Sequence, residues 1–287
     1  MNTLKYLDVD LNSSTDVLYD RNELGPPLAV KNLCSLYSIE FDRKSFETLN
    51  IGNQFQLVTK LSDRIWNLLP IKSHKIIIPD EDFKSNIIKA LHFLEKNSDE
   101  WNKLKKYLTG ICLVQLKPSY KDKEFEITSL SVPVFPFVSF LSKKSQFHIP
   151  PSIINEKSSL YLAENLLHES VHQAVNINLL DKDILEEDYN SEESPLVNIP
   201  WRQNQGDARN KKWQIDRVLH AISVYVVISF FRRNILQKNK KEYSKDMFDE
   251  SVKNAKYLMK NLLPYRKHFK NSQILDELQN DINTLET

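Results

Sequence analysis

Glycine is nearly absent from this sequence, which has four glycines among 287 residues. Folds that hold nucleotide phosphates on glycine-rich turns need several glycines at fixed spacing. Neither a GxGxxG pattern nor a P-loop occurs here, so a nucleotide-binding fold of that kind is excluded. Twelve prolines beside so few glycines predict many helices, with connections that are punctuated by proline and asparagine.

Cysteine is scarce as well. Cys34 and Cys112 are the two cysteines of the chain, and they lie far apart within apolar stretches. They predict two buried, reduced thiols, because two such distant residues do not build a disulfide framework. A zinc site made of cysteines is also excluded, since it needs more of them.

The sequence lacks an excess of either charge and lacks long apolar runs. It has 39 basic and 38 acidic residues, so no basic field attracts nucleic acid or anionic lipid, and we expect neither as a partner. The longest apolar run, AISVYVVISFF at 221–231, is too short to span a membrane. The first residues do not have the basic-then-apolar pattern of a signal peptide. These features predict a soluble, cytoplasmic protein.

Hydrophobic spacing predicts an α+β protein that is predominantly helical. Strand patterns occur at 111–116, 124–132, 134–141 and 146–149. Helical spacing occurs at about 43–69, 81–108 (with Asp80 as a cap), 158–180, 213–236, 243–263 and 273–285. We expect a small antiparallel sheet that packs against the helix at 158–180, followed by a C-terminal helical bundle.

The change of period near residue 110 predicts two regions. Residues 1–109 form a mainly helical N-terminal region, for which binding of a peptide or its leader segment is one possible role. Residues 110–287 form a metal-binding catalytic domain.

The predicted helix at 158–180 contains the segment HESVH. Four residues make just over one helical turn, so His168 and His172 project from the same face and can reach one metal ion. Glu169 lies beside them, where metallohydrolases have the general base that activates the metal-bound water. Two buried histidines without partners would be costly, which favours a metal site over a chance pair.

A site with two histidines needs at least one more protein ligand. The extended HExxHxxGxxH pattern is absent, because QAVNIN follows His172. His220 is the preferred third ligand, since it lies in the most apolar predicted helix, WQIDRVLHAISVYVVISFFRR. Asp216 precedes it by one turn and is a candidate to orient its ring. Asp181 is a weaker candidate that would supply the carboxylate of an iron site with two histidines.

The ordered motifs HESVH (168–172), IPWR (199–202), LHA (219–221) and SFFRR (229–233) resemble a family of HExxH-motif proteins that modify ribosomally made peptides. Members of that family are described as peptide β-hydroxylases that depend on iron and 2-oxoglutarate. The resemblance covers roughly residues 110–235. The ordered set of motifs is considerably more specific than HExxH by itself.

The resemblance implies that His168, His172 and His220 hold the metal and that Arg202 matches the arginine of the PWR segment. The family usually continues this segment into a DPRP-like stretch, whereas this chain has QNQGDARNKKWQIDRV. The second arginine of the family therefore has two possible counterparts, Arg209 and Arg217.

Two enzymatic hypotheses and one non-enzymatic hypothesis follow. In an Fe(II)- and 2-oxoglutarate-dependent dioxygenase, Arg202 or Arg217 binds the far carboxylate of 2-oxoglutarate, Trp201 lines the pocket, and the substrate is a precursor peptide. In a zinc metallopeptidase, the same histidines bind zinc, and Glu169 is the general base. In a helical peptide-binding protein, the histidines are vestigial. Residue spacing alone does not separate the three.

Overall fold

A computed structural model of the protein describes residues 4–7, 25–51, 55–122, 126–149, 152–153, 156–181, 184–202, 211–238 and 245–286. The chain divides into two compact units. The first unit is Asp10–Gln173, and the second combines Met1–Val9 with Ala174–Thr287.

The first unit contains most of the strands. In chain order its described elements are α1 (Pro26–Leu36), β1 (Phe46–Ile51), β2 (Phe55–Leu61), α2 (Asp63–Trp66), β3 (His74–Ile76), α3 (Glu81–Asn97), α4 (Asp99–Leu104), β4 (Gly110–Leu116), β5 (Ser129–Ser131), β6 (Val138–Leu141), β7 (His148–Ile149), β8 (Ser152–Ile153) and the start of α5 (Ser159–Asp181). Ser158 caps α5, because its hydroxyl accepts a hydrogen bond from the backbone N–H of Tyr161 at 3.4 Å.

The main sheet has six strands in the order β1-β2-β4-β6-β5, with β3 paired to β4. Strand β4 runs parallel to β2 and β6, and the remaining pairs are antiparallel. The predicted class, α+β and predominantly helical, is confirmed. The expectation of a small antiparallel sheet was wrong, because the main sheet has six strands and contains two parallel pairs. The apolar run ICLVQL forms a central strand, and such continuous runs are typical of parallel strands that are covered on both faces.

The predicted helix at 43–69 was wrong. Strands β1 and β2 form an antiparallel hairpin there, preceded by a 3-10 turn at Arg43–Ser45 and followed by the short helix α2. Phe55, Leu57 and Leu61 are buried at even spacing along β2, so the apolar positions that suggested a helical face also satisfy a strand period. Because β2 pairs with β4, strands from both sides of residue 110 share one sheet. The predicted boundary after residue 109 does not coincide with the division between the units.

The predicted helix at 81–108 divides at Ser98. The hydroxyl of Ser98 accepts a hydrogen bond from the backbone N–H of Trp101 at 3.0 Å and thereby starts α4. The predicted cap of the first part is confirmed, since Asp80 accepts a hydrogen bond from the N–H of Phe83 at 2.8 Å.

The hydrophobic core of the first unit lies against β4 and β6. Phe140 of β6 is completely buried and contacts two aromatic rings, with centroid distances of 6.3 Å to Trp66 and 5.8 Å to Phe135. Cys34 and Cys112 belong to the same core and are buried free thiols, as the sequence predicts.

Glycine is required at the start of β4. A Cβ atom at Gly110 would lie 2.8 Å from a methyl carbon of Val138 and 2.9 Å from a ring carbon of Pro26. These distances are too short for any side chain, so Gly110 allows β6 and α1 to approach β4 closely.

The second unit is built from helices. Its described elements are a 3-10 turn at Lys5–Leu7, β9 (Leu196–Asn198), β10 (Lys212–Gln214), α6 (Ile215–Gln237), α7 (Lys245–Leu262) and α8 (Gln273–Glu286). Helix α6 packs against both α7 and α8, which agrees with the three predicted helices. The N-terminal turn packs on α8, where the N–H of Leu4 donates to a carboxylate oxygen of Asp281 at 3.1 Å.

We predict that Phe140→Ala lowers the free energy of unfolding by about 3–5 kcal/mol, because it removes a buried ring and leaves a cavity between Trp66 and Phe135. Urea denaturation measures this change. Leu49→Ala is the control: Leu49 lies on edge strand β1 with 44% of its surface exposed, so its loss changes stability by about 0.5 kcal/mol or less. Equal effects of the two changes would contradict the assignment of the core.

Candidate metal site

The HESVH segment lies in the middle of α5, and it brings two imidazole nitrogens together. The Nε2 atoms of His168 and His172 are 3.0 Å apart. The two ring centroids are separated by 4.8 Å, and the ring planes are inclined at 57°. The two Nε2 atoms are therefore close enough to share either one hydrogen bond or one bound ion.

The distance between the two nitrogens permits both of them to bind one ion. Nitrogens that bind one metal at about 2.1 Å lie about 3.0–3.4 Å apart, depending on the coordination geometry, and the observed separation is 3.0 Å. A hydrogen bond between a protonated and an unprotonated ring nitrogen has the same length, and metal analysis of the purified protein distinguishes these two arrangements.

Glu169 is buried beside the histidine pair. Its side chain is 2% exposed, and its Oε1 atom lies 4.0 Å from Nε2 of His168. Burial raises the pKa of the Glu169 carboxyl to about 7, although the nearby hydroxyls of Ser129 and Ser131 act in the opposite direction. A cation held by the neighbouring histidines would lower this pKa again, because an opposite charge favours the carboxylate form.

A stripe of three polar residues holds α5 on the sheet. Asn165, Glu169 and Gln173 follow each other at intervals of four, so they share one helical face, and all three are buried. The hydroxyl of Ser129 donates to the side-chain oxygen of Asn165 at 3.3 Å. The amide of Gln173 donates to the carbonyl oxygen of Val138 at 3.1 Å. We call Asn165, Glu169 and Gln173 the polar stripe.

Ser131 makes a further contact between β5 and α5. The hydroxyl of Ser131 donates to the carbonyl oxygen of Glu169 at 3.3 Å and lies 3.0 Å from the hydroxyl of Ser139 on β6. The sequence analysis missed Ser129, Ser131 and Gln173. The signal was present in the spacing, since buried polar residues at every fourth position of an apolar helix need polar partners on the surface they cover.

His220, the predicted third ligand, lies on α6 in the second unit and is half-buried. Burial lowers the pKa of its imidazole to about 4, so the ring is neutral at physiological pH, which is the form that binds metals. Within the ranges described above, no group of three or more His, Cys, Asp or Glu side chains has an arrangement that could hold a metal ion. The set of three histidines therefore stays a prediction.

The three residues predicted to bind the cosubstrate belong to one aromatic cluster of the second unit. The guanidinium groups of Arg202 and Arg217 both lie over the ring of Trp213, at 5.9 Å and 4.8 Å from its centroid. Trp201 contacts Tyr225 edge-on at 6.2 Å. The charge of Arg202 also acts on Tyr225, whose pKa is raised by burial and lowered in part by that charge.

The contacts of the two arginines with Trp213 and Tyr225 were not predicted. Trp213 precedes Arg217 by one helical turn in the sequence, and this spacing is a signal for a cation–π contact. The ring of Trp213 is buried on β10, which pairs with β9. This hairpin brings the residues before and after the undescribed stretch 203–210 to the same indole ring. Arg209, the other candidate for the second arginine, lies outside the described residues.

Asp216 anchors residues that lie outside α6. Both of its carboxylate oxygens accept hydrogen bonds, at 2.9 Å from the hydroxyl of Tyr189 and at 3.1 Å from that of Ser191. Asp216 therefore joins the first turn of α6 to the segment at 189–191, and the suggestion that it also orients His220 stays a prediction. The side chain of Asp181 lies outside the described residues.

No protein-family model matches the chain, and no curated protein matches it. In the described part of the chain, every helix is too short or too polar to cross a membrane.

We predict that Asp216→Ala speeds hydrogen exchange of the amides at 189–194 by about tenfold, because Tyr189 and Ser191 lose a charged acceptor. Exchange measured by mass spectrometry on the native protein gives this rate. Asp246→Ala is the control, since Asp246 is an exposed acid in the first turn of α7. Unchanged exchange at 189–194 in Asp216→Ala would rule out the anchoring role.

Proposed function

We propose that this protein is an Fe(II)- and 2-oxoglutarate-dependent dioxygenase that hydroxylates the β-carbon of a residue in a ribosomally made precursor peptide. The observation that carries the proposal is the meeting of the two Nε2 atoms, 3.0 Å apart, on one face of α5. Two imidazole nitrogens at this separation can bind one metal ion. The ordered HESVH, IPWR and LHA motifs support the choice of iron by resemblance.

His168 and His172 would hold the metal through Nε2, with His220 as the third ligand predicted from the sequence. Iron, when bound, would activate O₂ for hydroxylation of a C–H bond, and 2-oxoglutarate would be oxidised to succinate and CO₂ in the same reaction. Glu169, 4.0 Å from Nε2 of His168, contributes negative charge beside a metal ligand. Its burial keeps water away from that side of the histidine pair.

Arg202 and Arg217 would recognise the far carboxylate of 2-oxoglutarate. A guanidinium group forms two parallel hydrogen bonds to a carboxylate, which an ammonium group does not. Cation–π contact with the Trp213 ring limits the conformational freedom of both guanidinium groups. Less conformational entropy is therefore lost when a carboxylate binds. Trp201 and Tyr225 provide an apolar wall next to Arg202.

One observation favours a second candidate, a zinc metallopeptidase. The Oε1 atom of Glu169 lies 4.0 Å from Nε2 of His168, which places a carboxylate beside the histidine pair, as HExxH metallohydrolases have their general base. Zinc held by the three histidines would then leave a position for water, and Glu169 would take the proton of that water.

We predict that anaerobic addition of Fe(II) and then 2-oxoglutarate to the purified protein produces a weak visible charge-transfer band. The band requires a ligand set that leaves two neighbouring positions for 2-oxoglutarate. It should saturate at one equivalent of iron, and His172→Ala should abolish it. Copurification of zinc without a band would reverse the order of the two candidates, and the absence of any bound metal would favour a non-enzymatic peptide-binding role.

The two arginines are compared in the same titration. Arg202→Lys and Arg217→Lys keep the positive charge but lose the paired hydrogen bonds, so the variant at the binding arginine should need about tenfold more 2-oxoglutarate. Iron affinity should not change in either variant, because neither residue is a proposed ligand.

We predict that Glu169→Gln, assayed at saturating Fe(II), keeps turnover of 2-oxoglutarate to succinate within about tenfold of the wild type. The reason is that the proposed reaction needs no proton transfer by this side chain. A metallopeptidase would lose about 10²–10⁴-fold in the same variant, measured as cleavage of a casein digest by the zinc-loaded protein. Loss of succinate formation together with loss of casein cleavage would contradict the supporting role given to Glu169.

A further inference from the structure

Ser131 is the one hydroxyl of β5 that contacts the backbone of the HESVH segment itself. Its hydrogen bond goes to the carbonyl oxygen of Glu169 at 3.3 Å. A carbonyl oxygen in the interior of a helix already accepts the i+4 amide, so Ser131 adds a second donor at that turn and fixes the turn to the sheet.

The hydroxyl of Ser131 is itself held from the other side. Ser139 on β6 lies directly opposite Ser131 in the antiparallel pair, and the two hydroxyl oxygens are 3.0 Å apart. The hydroxyl of Ser131 is therefore held by β6 as well as by its hydrogen bond to α5.

The carboxyl group of Glu169 meets the same surface. Ser129 and Ser131 lie on the same side of β5, because residues two apart on a strand face the same side, and both hydroxyls lower the pKa of the Glu169 carboxyl group. Among the described residues, its Oε2 atom is buried without a partner of full hydrogen-bond geometry. Its Oε1 atom is directed toward His168, at 4.0 Å from Nε2.

We infer that Ser131 is a positioning residue: by binding the backbone of Glu169, it holds the Glu169 side chain at its place beside Nε2 of His168. The inference rests on the proposed metal centre, and it names the residue that keeps the negative charge next to the metal ligand. A negative charge at this distance favours a bound cation, and groups of this kind change metal affinity by about 10–100-fold.

The test is a double-mutant cycle with Co(II) as the probe, using the full chain. Affinity is measured by competition with a chelating dye for the wild type, Ser131→Ala, Glu169→Gln and the double variant. Ser131→Ala and Glu169→Gln should each weaken Co(II) binding about tenfold, and the double variant should bind no more weakly than Glu169→Gln. Ser131→Thr keeps the hydroxyl and should bind Co(II) as the wild type does.

Two further measurements separate a positioning role from a loss of stability. Ser145→Ala is the matched control, because Ser145 is also a buried serine whose hydroxyl donates to a backbone carbonyl oxygen, that of Ser142 at 2.7 Å. It should leave Co(II) affinity unchanged. The urea midpoint is also measured for the same four proteins, without metal. The changes in midpoint caused by Ser131→Ala and Glu169→Gln should be non-additive in the double variant.

Additive effects of Ser131→Ala and Glu169→Gln, in Co(II) affinity or in the urea midpoints, would overturn the inference. So would a Ser131→Ala variant that binds Co(II) with wild-type affinity. If the wild type binds no Co(II), the proposed metal centre fails, and the urea midpoints still decide whether Ser131 acts through Glu169.

Discussion

The contact between the polar stripe of α5 and strands β5 and β6 is the interaction on which the candidate site depends. An apolar helix face packs against a sheet without a preferred rotation, because dispersion and hydrophobic burial have little directionality. Hydrogen bonds do have direction. Those of Asn165, Glu169 and Gln173 with β5 and β6 fix the rotation of α5 about its axis. The histidine face lies beside the polar stripe on the same helix, so its direction is set by the same bonds.

The histidine pair and Glu169 are close in sequence but lie in different surroundings. The side chain of His168 is 31% exposed, whereas that of Glu169 is 2% exposed. The face of α5 that carries the polar stripe, including Glu169, packs against the sheet. The neighbouring face, which carries the imidazoles, is more accessible to solvent. This difference keeps the histidines available as ligands while the pKa of the carboxyl rises.

The elements that the sequence predicts well are those with one strong period. Helices α5, α6, α7 and α8, the strand β4 and the cap at Asp80 could all be predicted, because apolar spacing or a capping residue marks each of them. The hairpin at 46–61 could not, since its buried positions satisfy both the helical and the strand period. Parallel pairing of β4 with β2 and β6 depends on contacts between distant residues, for which local spacing carries no signal.

The candidate site divides in the same way. Convergence of His168 and His172 follows from helix geometry alone and could be predicted. The serines of β5 could not, because their role depends on which strand the helix covers. The clustering of Arg202 and Arg217 on Trp213 requires the β9–β10 hairpin, which spacing alone does not reveal. The hydrogen bonds from the hydroxyls of Tyr189 and Ser191 to Asp216 could not be predicted, because they join residues that are distant along the chain.

The hydrogen bond between Leu4 and Asp281 has a consequence for synthesis of the chain. The two residues are 277 positions apart, so the ribosome makes the N-terminal turn long before its docking surface on α8. Leu4, Tyr6 and Leu7, which are buried in the finished protein, have no α8 to cover them until that helix is made. A nascent or prematurely terminated chain therefore presents these apolar side chains to chaperones and proteases until α8 has emerged.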